Sequence, residues 1–466
     1  MNERTRPALW ACVPLLAGNF WLWTGAHAGL LAFGMMLPVG GGLLISGGAL
    51  ALWAGDRRIP QITALAGGVG VLALPLLAAG LGLGSALWLA GWAGAAAVAA
   101  AAAGLETAPS IEGVPRPEPG LRLAAVVALD EMVLGLEQVT TRLPSGDAAR
   151  RMIDETHAAI DFYRDRGWLD NPRDYHVDPP ALVEPRMDHA RSGRIEYEHL
   201  QFESLYAPHD EEPGRERWLQ YAPPRTAHAY VLRQGAADRP WLVCTNGYRM
   251  GMAGIDLRAL GQHYQMLGLN VAIPVLPLHG PRRIGRRSGD GFLAGDVLDT
   301  LHGEAQAIWD IRRVISWIRG QGAPAVGVLG LSLGGYTTAL LASVESGLAC
   351  AVAGIPVADL ARLFWYHGAP AELEELEGMG IQQTEVRELM TVVSPLALEP
   401  QVPFEGRLIF GGSADRLVTP DHIRDLSAHW GNPETFWYPG GHLGFRMDRR
   451  VQHTIDAKLR EAKLCA

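Results

Sequence analysis

A serine in a glycine-flanked turn has the surroundings that could make it reactive. Gly330-Leu-Ser332-Leu-Gly334 follows the apolar run 325–329 and precedes a helical pattern that begins at Tyr336. A strand, a G-x-S-x-G turn and a helix, in that order, hold a serine hydroxyl up at the edge of a sheet. A serine is a weak nucleophile at neutral pH and needs a neighbouring base. We predict that Ser332 is a nucleophile; the alternative is a serine that serves only the turn.

Two later turns offer the base and the acid that would orient it. Asp415 ends the run Leu408-Ile-Phe-Gly-Gly-Ser-Ala-Asp, at the carboxyl end of a predicted strand, where α/β sheets keep their sites. His442 ends the run Phe436-Trp-Tyr-Pro-Gly-Gly-His in the same way. We predict that His442 takes the serine proton and that Asp415 holds His442. The remaining residues considered for these roles, Asp421, His422, His429 and His453, are assigned to a helix cap or to helix packing and surface.

Acyl transfer also needs backbone N–H groups directed at the developing oxyanion. Leu333 directly follows the serine, and its amide is the first predicted donor. The second is the amide of Tyr248, in the loop after the apolar run 241–245. The dipeptide His279-Gly280, after the next apolar run, is the alternative for the oxyanion hole, and His279 is a candidate pocket residue. Arg282 and Trp365 are the other candidate pocket residues.

Two segments near these residues bear on the substrate. Residues 357–395 interrupt the sheet pattern with an apolar stretch and an acidic helix, which fits a lid over an acyl chain as well as it fits simple packing. A cluster of four cations could meet phospholipid head groups, or it could be a solvated loop paired with nearby aspartates. The cations are Arg282, Arg283, Arg286 and Arg287, and the aspartates are Asp290, Asp296 and Asp299.

Strands alternate with helices from about residue 193, and this predicts an α/β class with a mostly parallel sheet covered by helices on both faces. The catalytic domain is therefore placed at 193–466. Residues 121–192 are expected to form a helical hairpin, over 121–142 and 147–167, and a connection. The predicted strands lie near 195–205, 227–233, 240–246, 270–276, 325–330, 349–355, 405–411 and 434–438. The predicted helices lie near 254–267, 300–319, 334–345, 420–430 and 449–462.

The first 105 residues predict a membrane region. Between Pro7 and Leu105 the charged residues are Asp56, Arg57 and Arg58. About 20 apolar residues cross a bilayer, so we expect four spans, at 7–24, 28–54, 60–82 and 85–104. The region is several times too long for a signal peptide, and residues 106–120, with four prolines, predict a linker. Arginines on one side of the bundle (Arg4, Arg6, Arg57, Arg58 and Arg116) place that side and the rest of the chain in the cytoplasm.

Composition sets aside several classes of protein. The formal net charge of −9 argues against a partner of nucleic acid, and the hydrophobic fraction of 48% suits a chain that is partly embedded in lipid. The four cysteines are widely spaced, which predicts free thiols and no metal-binding or redox pair. The apolar spans carry no charged residue, so the bundle is expected to serve as an anchor that contacts membrane lipids.

Taken together, these motifs resemble the α/β-hydrolase superfamily over roughly residues 193–462. Within it, Leu276-Pro-Leu-His-Gly-Pro-Arg-Arg283 and the helices before the sheet are similar to the group named after alpha/beta hydrolase domain-containing protein eighteen. The resemblance implies hydrolysis of an ester, thioester or amide through an acyl-enzyme, with no metal and no organic cofactor. We expect a serine esterase or lipase that acts on a small-molecule or lipid acyl ester at the bacterial inner membrane. The alternatives are an amide or peptide hydrolase with the same triad and a non-catalytic membrane scaffold.

Overall fold

The computed structural model describes residues 9–53, 55–141, 143–235, 239–293 and 296–465, so Arg4 and Arg6 of the predicted charge pattern lie outside the described residues. The chain divides into two compact units. The first comprises the chain up to Thr141 together with Gly412–Asp421 and Trp437–Arg449. The second comprises Arg142–Gly411, His422–Phe436 and Arg450–Ala466. The first unit therefore takes two short segments from far along the chain.

Apolar helices make up most of the first unit. Their bounds are α1 Cys12–Ala28, α2 Leu30–Leu52, α3 Arg58–Leu72, α4 Leu74–Leu81, α5 Leu83–Thr107 and α6 Leu121–Thr140. Helices suit a bilayer because they satisfy their own backbone hydrogen bonds. Among the described residues, α2 and α5 are long and apolar enough to cross a membrane, and α3 with α4 qualifies only as a pair bent by 52°.

The expected four spans are thus met only in part, with two crossing helices, or three if the bent pair is one span. The third predicted span is interrupted because Pro75, in the first turn of α4, has no N–H to continue the helical ladder. Helix α1 has 17 described residues, which is short for a full crossing.

Helix α6 packs on α3 and α5 within the first unit. A Cβ added at Gly135 would lie 2.4 Å from the carbonyl oxygen of Gln61, so glycine permits the close approach of α6 to α3. The shared core contains Ala64, Ala97, Ala101, Leu123, Val127, Ala128 and Ala414. The other helix of the predicted hairpin, α7 (Asp147–Asp165), belongs to the second unit.

A sheet of nine strands, in the order β1-β2-β3-β5-β4-β6-β7-β8-β9, dominates the second unit. Its strands are β1 Arg186–Ser192, β2 Ile195–Glu203, β3 Thr226–Leu232, β4 Trp241–Thr245, β5 Asn270–Pro274, β6 Val326–Leu331, β7 Cys350–Gly354, β8 Arg407–Gly412 and β9 Glu434–Tyr438. The first three strands and the β3–β5 pair are antiparallel, and β5, β4, β6, β7 and β8 run parallel. Every residue of β4, β5, β6 and β7 is buried, as expected for strands covered on both faces.

The predicted mostly parallel sheet is therefore confirmed, and each of the eight predicted strands lies within a few residues of an observed one. The sequence missed β1, an edge strand whose residues are mostly exposed or half-buried and which carries no apolar alternation.

Helices connect these strands. Their bounds are α8 Arg215–Gln220, α9 Ala253–Asp256, α10 Gln262–Met266, α11 Val297–Gly320, α12 Leu333–Val344, α13 Leu360–His367, α14 Pro370–Gly378, α15 Gln383–Leu389, α16 Pro420–His429 and α17 Arg449–Glu461. A π-helical turn, Leu257–Gly261, joins α9 to α10. The interruption predicted at 357–395 contains α13, α14 and α15 between β7 and β8.

Candidate active site

Ser332 occupies the turn between β6 and α12. Its backbone has φ 60° and ψ −117°, a conformation that costs a non-glycine residue about 1–3 kcal/mol and is held only by its surroundings. The Ser332 N–H donates to the carbonyl oxygen of Gly354 on the neighbouring strand at 2.9 Å. The sharp strand-to-helix turn predicted from the sequence is therefore present.

The glycines on either side of the serine are required by packing. A Cβ at Gly330 would lie 2.0 Å from the carbonyl oxygen of Gly334, and one at Gly334 would lie 2.3 Å from that of Thr245. Both distances are too short for any side chain. The Thr245 hydroxyl also donates to the Gly334 carbonyl at 2.7 Å, which fixes the turn to the end of β4.

The two predicted oxyanion donors flank this turn in the second unit. Leu333 begins α12, so its amide is among the first-turn N–H groups that have no acceptor within the helix. The loop after β4 passes beside the serine, since a Cβ at Gly247 would lie 3.7 Å from the Ser332 Cβ. Tyr248 is the next residue of that loop. The pairing of Leu333 with Tyr248 as donors stays a prediction.

His279, the alternative donor, is buried beside Tyr248, with ring centroids 6.0 Å apart. Its Nδ1 lies 2.9 Å from the carbonyl oxygen of Pro277, so Nδ1 carries the hydrogen and Nε2 is left as an acceptor. Burial lowers the pKa of His279 to about 4, which keeps the ring neutral. The backbone amides of His279 and Gly280 already have acceptors, since they donate to the carbonyl oxygen of Leu276 at 3.2 Å and to the Ser288 hydroxyl oxygen at 2.8 Å.

The other two candidate pocket residues have partners inside the second unit. Arg282 is buried, and its guanidinium pairs with Asp310 at 2.7 Å and donates to the carbonyl oxygens of Val275 and Pro224. Burial lowers its pKa, and the charge of Asp310 opposes that shift. Trp365 is half-buried on α13 and donates to Glu377 at 3.0 Å.

Among the acidic residues near the arginine cluster, Asp290 pairs with Arg249 and Arg287. Asp296 and Asp299 pair instead with Arg217. Of the pairings expected between the arginine cluster and these three aspartates, the described residues show that of Arg287 with Asp290. Arg282 is separate from this pattern because its partner is the buried Asp310.

Asp415 and His442 come together in the first unit. His442 Nδ1 lies 2.7 Å from Asp415 Oδ2, and both side chains are buried. The other carboxylate oxygen accepts the amides of Leu417 and Val418 at 2.9 and 2.8 Å. These hydrogen bonds hold the Asp415 side chain in place. Because a carboxylate only accepts, Nδ1 carries the hydrogen, and Nε2 is the nitrogen that can take a proton.

Burial and the charge of Asp415 act in opposite directions on the pKa of His442. Burial alone would lower the pKa of His442, but the charge and hydrogen bond of Asp415, with a further contribution from the charge of Asp130, raise it overall. A base whose protonated form is stabilised in this way suits proton transfer near neutral pH. His422, in contrast, is buried, accepts the amide of Ala358, and has its pKa lowered to about 3 by burial, in line with a packing role.

Asp130, on α6, is a contact of this pair that the sequence analysis missed. Its carboxylate accepts the backbone amide of His442 at 2.6 Å and that of Leu443 at 3.1 Å. The neighbouring Glu131 accepts from the Arg416 side chain at 2.8 Å. Two adjacent carboxylates in the apolar run Leu123–Leu134 were the available signal, since buried acidic residues are rare unless they have partners.

A mostly parallel sheet in this strand order, with a serine in a strained strand-to-helix turn, defines an α/β-hydrolase-like fold. No family model matches the chain. It is 42% identical over 356 residues to the uncharacterized proteins MT2702 and Rv2627c of two Mycobacterium tuberculosis strains, a match that covers 75% of this chain and 85% of each relative. The chain belongs to the same family as these mycobacterial proteins.

Solved structures that are similar include two acetyl xylan esterases. Acetyl xylan esterase 1 from Thermoanaerobacterium sp. JW/SL YS485 has a TM-score of 0.45 and 15% identity, over 65% of this chain and 93% of that chain. The acetyl xylan esterase from Paenibacillus sp. R4 has a TM-score of 0.45 and 13% identity, over 64% of this chain and 99% of that chain.

Proposed function

We propose that this protein is a serine hydrolase that cleaves an acyl ester through a covalent acyl-enzyme. The observation that carries the proposal is the buried hydrogen bond of 2.7 Å between Asp415 and His442. A buried acid–base pair of this kind is what an activated serine requires, and Ser332 is held in the turn typical of such a nucleophile. The triad is Ser332, His442 and Asp415.

In the proposed reaction, the Ser332 hydroxyl oxygen attacks the ester carbonyl carbon while His442 Nε2 takes the hydroxyl proton. The carbonyl electron pair moves to the oxygen, which the amides of Leu333 and Tyr248 stabilise. Collapse of this intermediate breaks the ester bond, and His442 returns the proton to the leaving alcohol. Water then attacks the acyl-serine by the same route and releases the acid. Each step uses side chains and amides of the chain and calls on no metal or organic cofactor.

The proposed setting is a bacterial inner membrane, with four spans and the catalytic domain on the cytoplasmic side. Helices α2 and α5 support membrane insertion. Arg57, Arg58 and Arg116 support the orientation, since positive charge is retained on the cytoplasmic side. A small-molecule or lipid acyl ester is the proposed substrate, and membrane lipids are the partners of the apolar helices. We also propose that the chain is related to the group named after alpha/beta hydrolase domain-containing protein eighteen, which residues 276–283 resemble.

The test is labelling of the full-length, detergent-solubilised chain with a fluorophosphonate probe, which reacts with activated serines. Wild type should be labelled, Ser332→Ala should not, and His442→Ala should be labelled at least about 100-fold more slowly, given the rate that a general base contributes. Two matched controls, Ser346→Ala and His453→Ala, alter exposed residues of the same types and should label like wild type.

Folded wild type without label would contradict the proposal and favour the scaffold alternative. If labelling is found, hydrolysis of nitrophenyl esters of increasing chain length, compared with the matching anilides, separates an esterase from an amide hydrolase. Faster turnover of the anilides would overturn the ester assignment while leaving the triad in place.

A further inference from the structure

Helix α6 contributes a buried carboxylate to the loops that carry the acid and the base. Asp130 Oδ2 accepts the amides of His442 at 2.6 Å and Arg416 at 3.2 Å, and Oδ1 accepts the amide of Leu443 at 3.1 Å. These amides belong to the residue after Asp415, to the histidine itself and to the residue after it. One carboxylate therefore connects both loops through their backbones, close to the side chains that would react.

The loops are shaped around this carboxylate. A Cβ at Gly441 would lie 2.4 Å from Asp130 Oδ2, so glycine is needed directly before the histidine. The requirement comes from Asp130 and not from the backbone, because Gly441 has φ −85°, which any residue can adopt. A Cβ at Gly444 would similarly lie 2.7 Å from the side chain of Val126 on the same helix.

The position of α6 is in turn determined by the apolar helices. The backbone of α6 approaches α3 at Gly135, and a Cβ at Gly68 of α3 would lie 2.2 Å from the sulfur of Met132. Gln138 donates to Gln61 across the same interface. Since packed interiors transmit small displacements, a shift of α3 or α5 would move Asp130 and, through it, the His442 backbone.

We propose that Asp130 is a positioning residue for the acid–base pair, and that the apolar helices act through it as a structural part of the catalytic apparatus in addition to anchoring the chain. This inference rests on the proposed hydrolase function. It assigns to α6 the task of holding the His442 imidazole in the orientation that proton transfer needs, since a misplacement of about 1 Å can cost about 100-fold in rate.

The electrostatics of the pair agree with this role. Burial raises the pKa of Asp130 to about 7, the charge of Asp415 raises it as well, and the charge of His442 and the amides of Leu443 and His442 lower it. In its charged form Asp130 raises the pKa of His442. Among the described residues of the first unit, Asp415 acts on both groups, and the charge of Asp130 contributes to the raised pKa of Tyr438. The neighbouring Glu131 interacts instead with the Arg416 side chain.

The test compares wild type, Asp130→Asn and Gly441→Ala as full-length chains in detergent. The rate constant for fluorophosphonate labelling of Ser332 should fall by about 10- to 100-fold in both variants. In Asp130→Asn the acidic limb of the rate profile should also move to lower pH, because the negative charge that raises the pKa of His442 is gone. Gly441→Ala displaces the same carboxylate without removing it.

Glu131→Gln is the matched control, because it neutralises the adjacent buried carboxylate, which accepts from the Arg416 side chain instead of the His442 loop. It should retain the wild-type rate and the wild-type acidic limb. A similar loss in Glu131→Gln, or an unchanged rate and limb in Asp130→Asn, would overturn the positioning role.

A second readout does not depend on hydrolysis. The His442 imidazole is titrated by NMR in histidine-labelled protein, with its signal assigned by its absence in His442→Ala. A lower midpoint in Asp130→Asn supports the inference even if wild type reacts with no probe, and an unchanged midpoint overturns it. Failure of the proposed function, seen as unlabelled wild type, is thereby distinguished from failure of this inference.

Discussion

Ser332 keeps its strained backbone because the residues around it leave no alternative. Its amide is bound to Gly354, and the Gly334 carbonyl that follows is bound by the Thr245 hydroxyl. The strain of about 1–3 kcal/mol is spread over contacts that the rest of the sheet makes anyway. In the proposed reaction, a serine held in this way would present its hydroxyl without first having to reorganise, which would lower the cost of reaching the reactive geometry.

We predict that Gly334→Ala abolishes probe labelling of Ser332, because the added Cβ would lie 2.3 Å from the Thr245 carbonyl oxygen and would force the turn open. Gly320→Ala is the control, since a Cβ there meets nothing within 4 Å. Labelling and the apparent Tm in detergent are measured for both. Normal labelling of a folded Gly334→Ala variant would show that the turn does not need this close approach.

Local sequence signals were enough to identify the predicted acid and base. Asp415 and His442 each follow a strand and a glycine turn, and such local signals sufficed to pick out a pair that is hydrogen-bonded in the structure. Asp130 could not be connected to them, because its partners lie about three hundred residues later. Those partners are backbone amides, which nearly every residue type has, so the sequence does not reveal them. The assembly of Ser332 with the pair stays a prediction.

Among the elements, α11 and α12 pack through a buried carboxyl group that the proposed reaction does not use. Glu304 on α11 accepts the Thr337 hydroxyl of α12 at 3.2 Å, and burial raises its pKa to about 8. In the unfolded chain the pKa returns to the ordinary value of 4.5. The folded protein therefore holds a proton between these pH values that the unfolded chain releases.

The free energy of unfolding should accordingly fall as pH rises from about 5 to 8, by up to about 1.4 kcal/mol for each unit of pKa difference. Glu304→Gln is neutral at every pH and should lack this decline. The apparent Tm of the variant relative to wild type should therefore rise with pH. Glu374→Gln, on an exposed residue of α14, should keep the wild-type pH dependence. A Tm difference between Glu304→Gln and wild type that stays constant with pH would contradict the raised pKa of Glu304.

Arg282 shows why contacts between helices and strands are harder to predict from sequence than local motifs. Arg282 is one of a cluster of four arginines, and composition could not tell which of them faces inward. In the structure it joins the turn after β5 to Asp310 of α11, a contact set by how the helix packs on the sheet. Edge strand β1 was not predicted for a related reason. Its own sequence has no apolar alternation, and the strand is defined by its hydrogen-bonded pairing with β2.

We predict that the chain fractionates with membranes and is not released by alkaline carbonate, as the proposed insertion of the apolar helices in lipid requires. A fluorescent protein fused after the last residue should fluoresce, and a reporter inserted at Gly82–Leu83 that is active only outside the cytoplasm should be active. Gly82 follows α4 directly and precedes α5. Fluorescence lost at the carboxyl end would reverse the proposed orientation.

The discontinuous first unit also imposes an order on synthesis. Helices α1 to α6 leave the ribosome first, yet the amides that Asp130 accepts belong to residues 416, 442 and 443. Until residues 416–443 have been made, α6 carries a carboxylate whose partners do not yet exist, and contacts this distant in sequence form late and slowly. A chain that stops before residue 442 lacks two of these three amides, so the first unit can be completed only after this segment has been made.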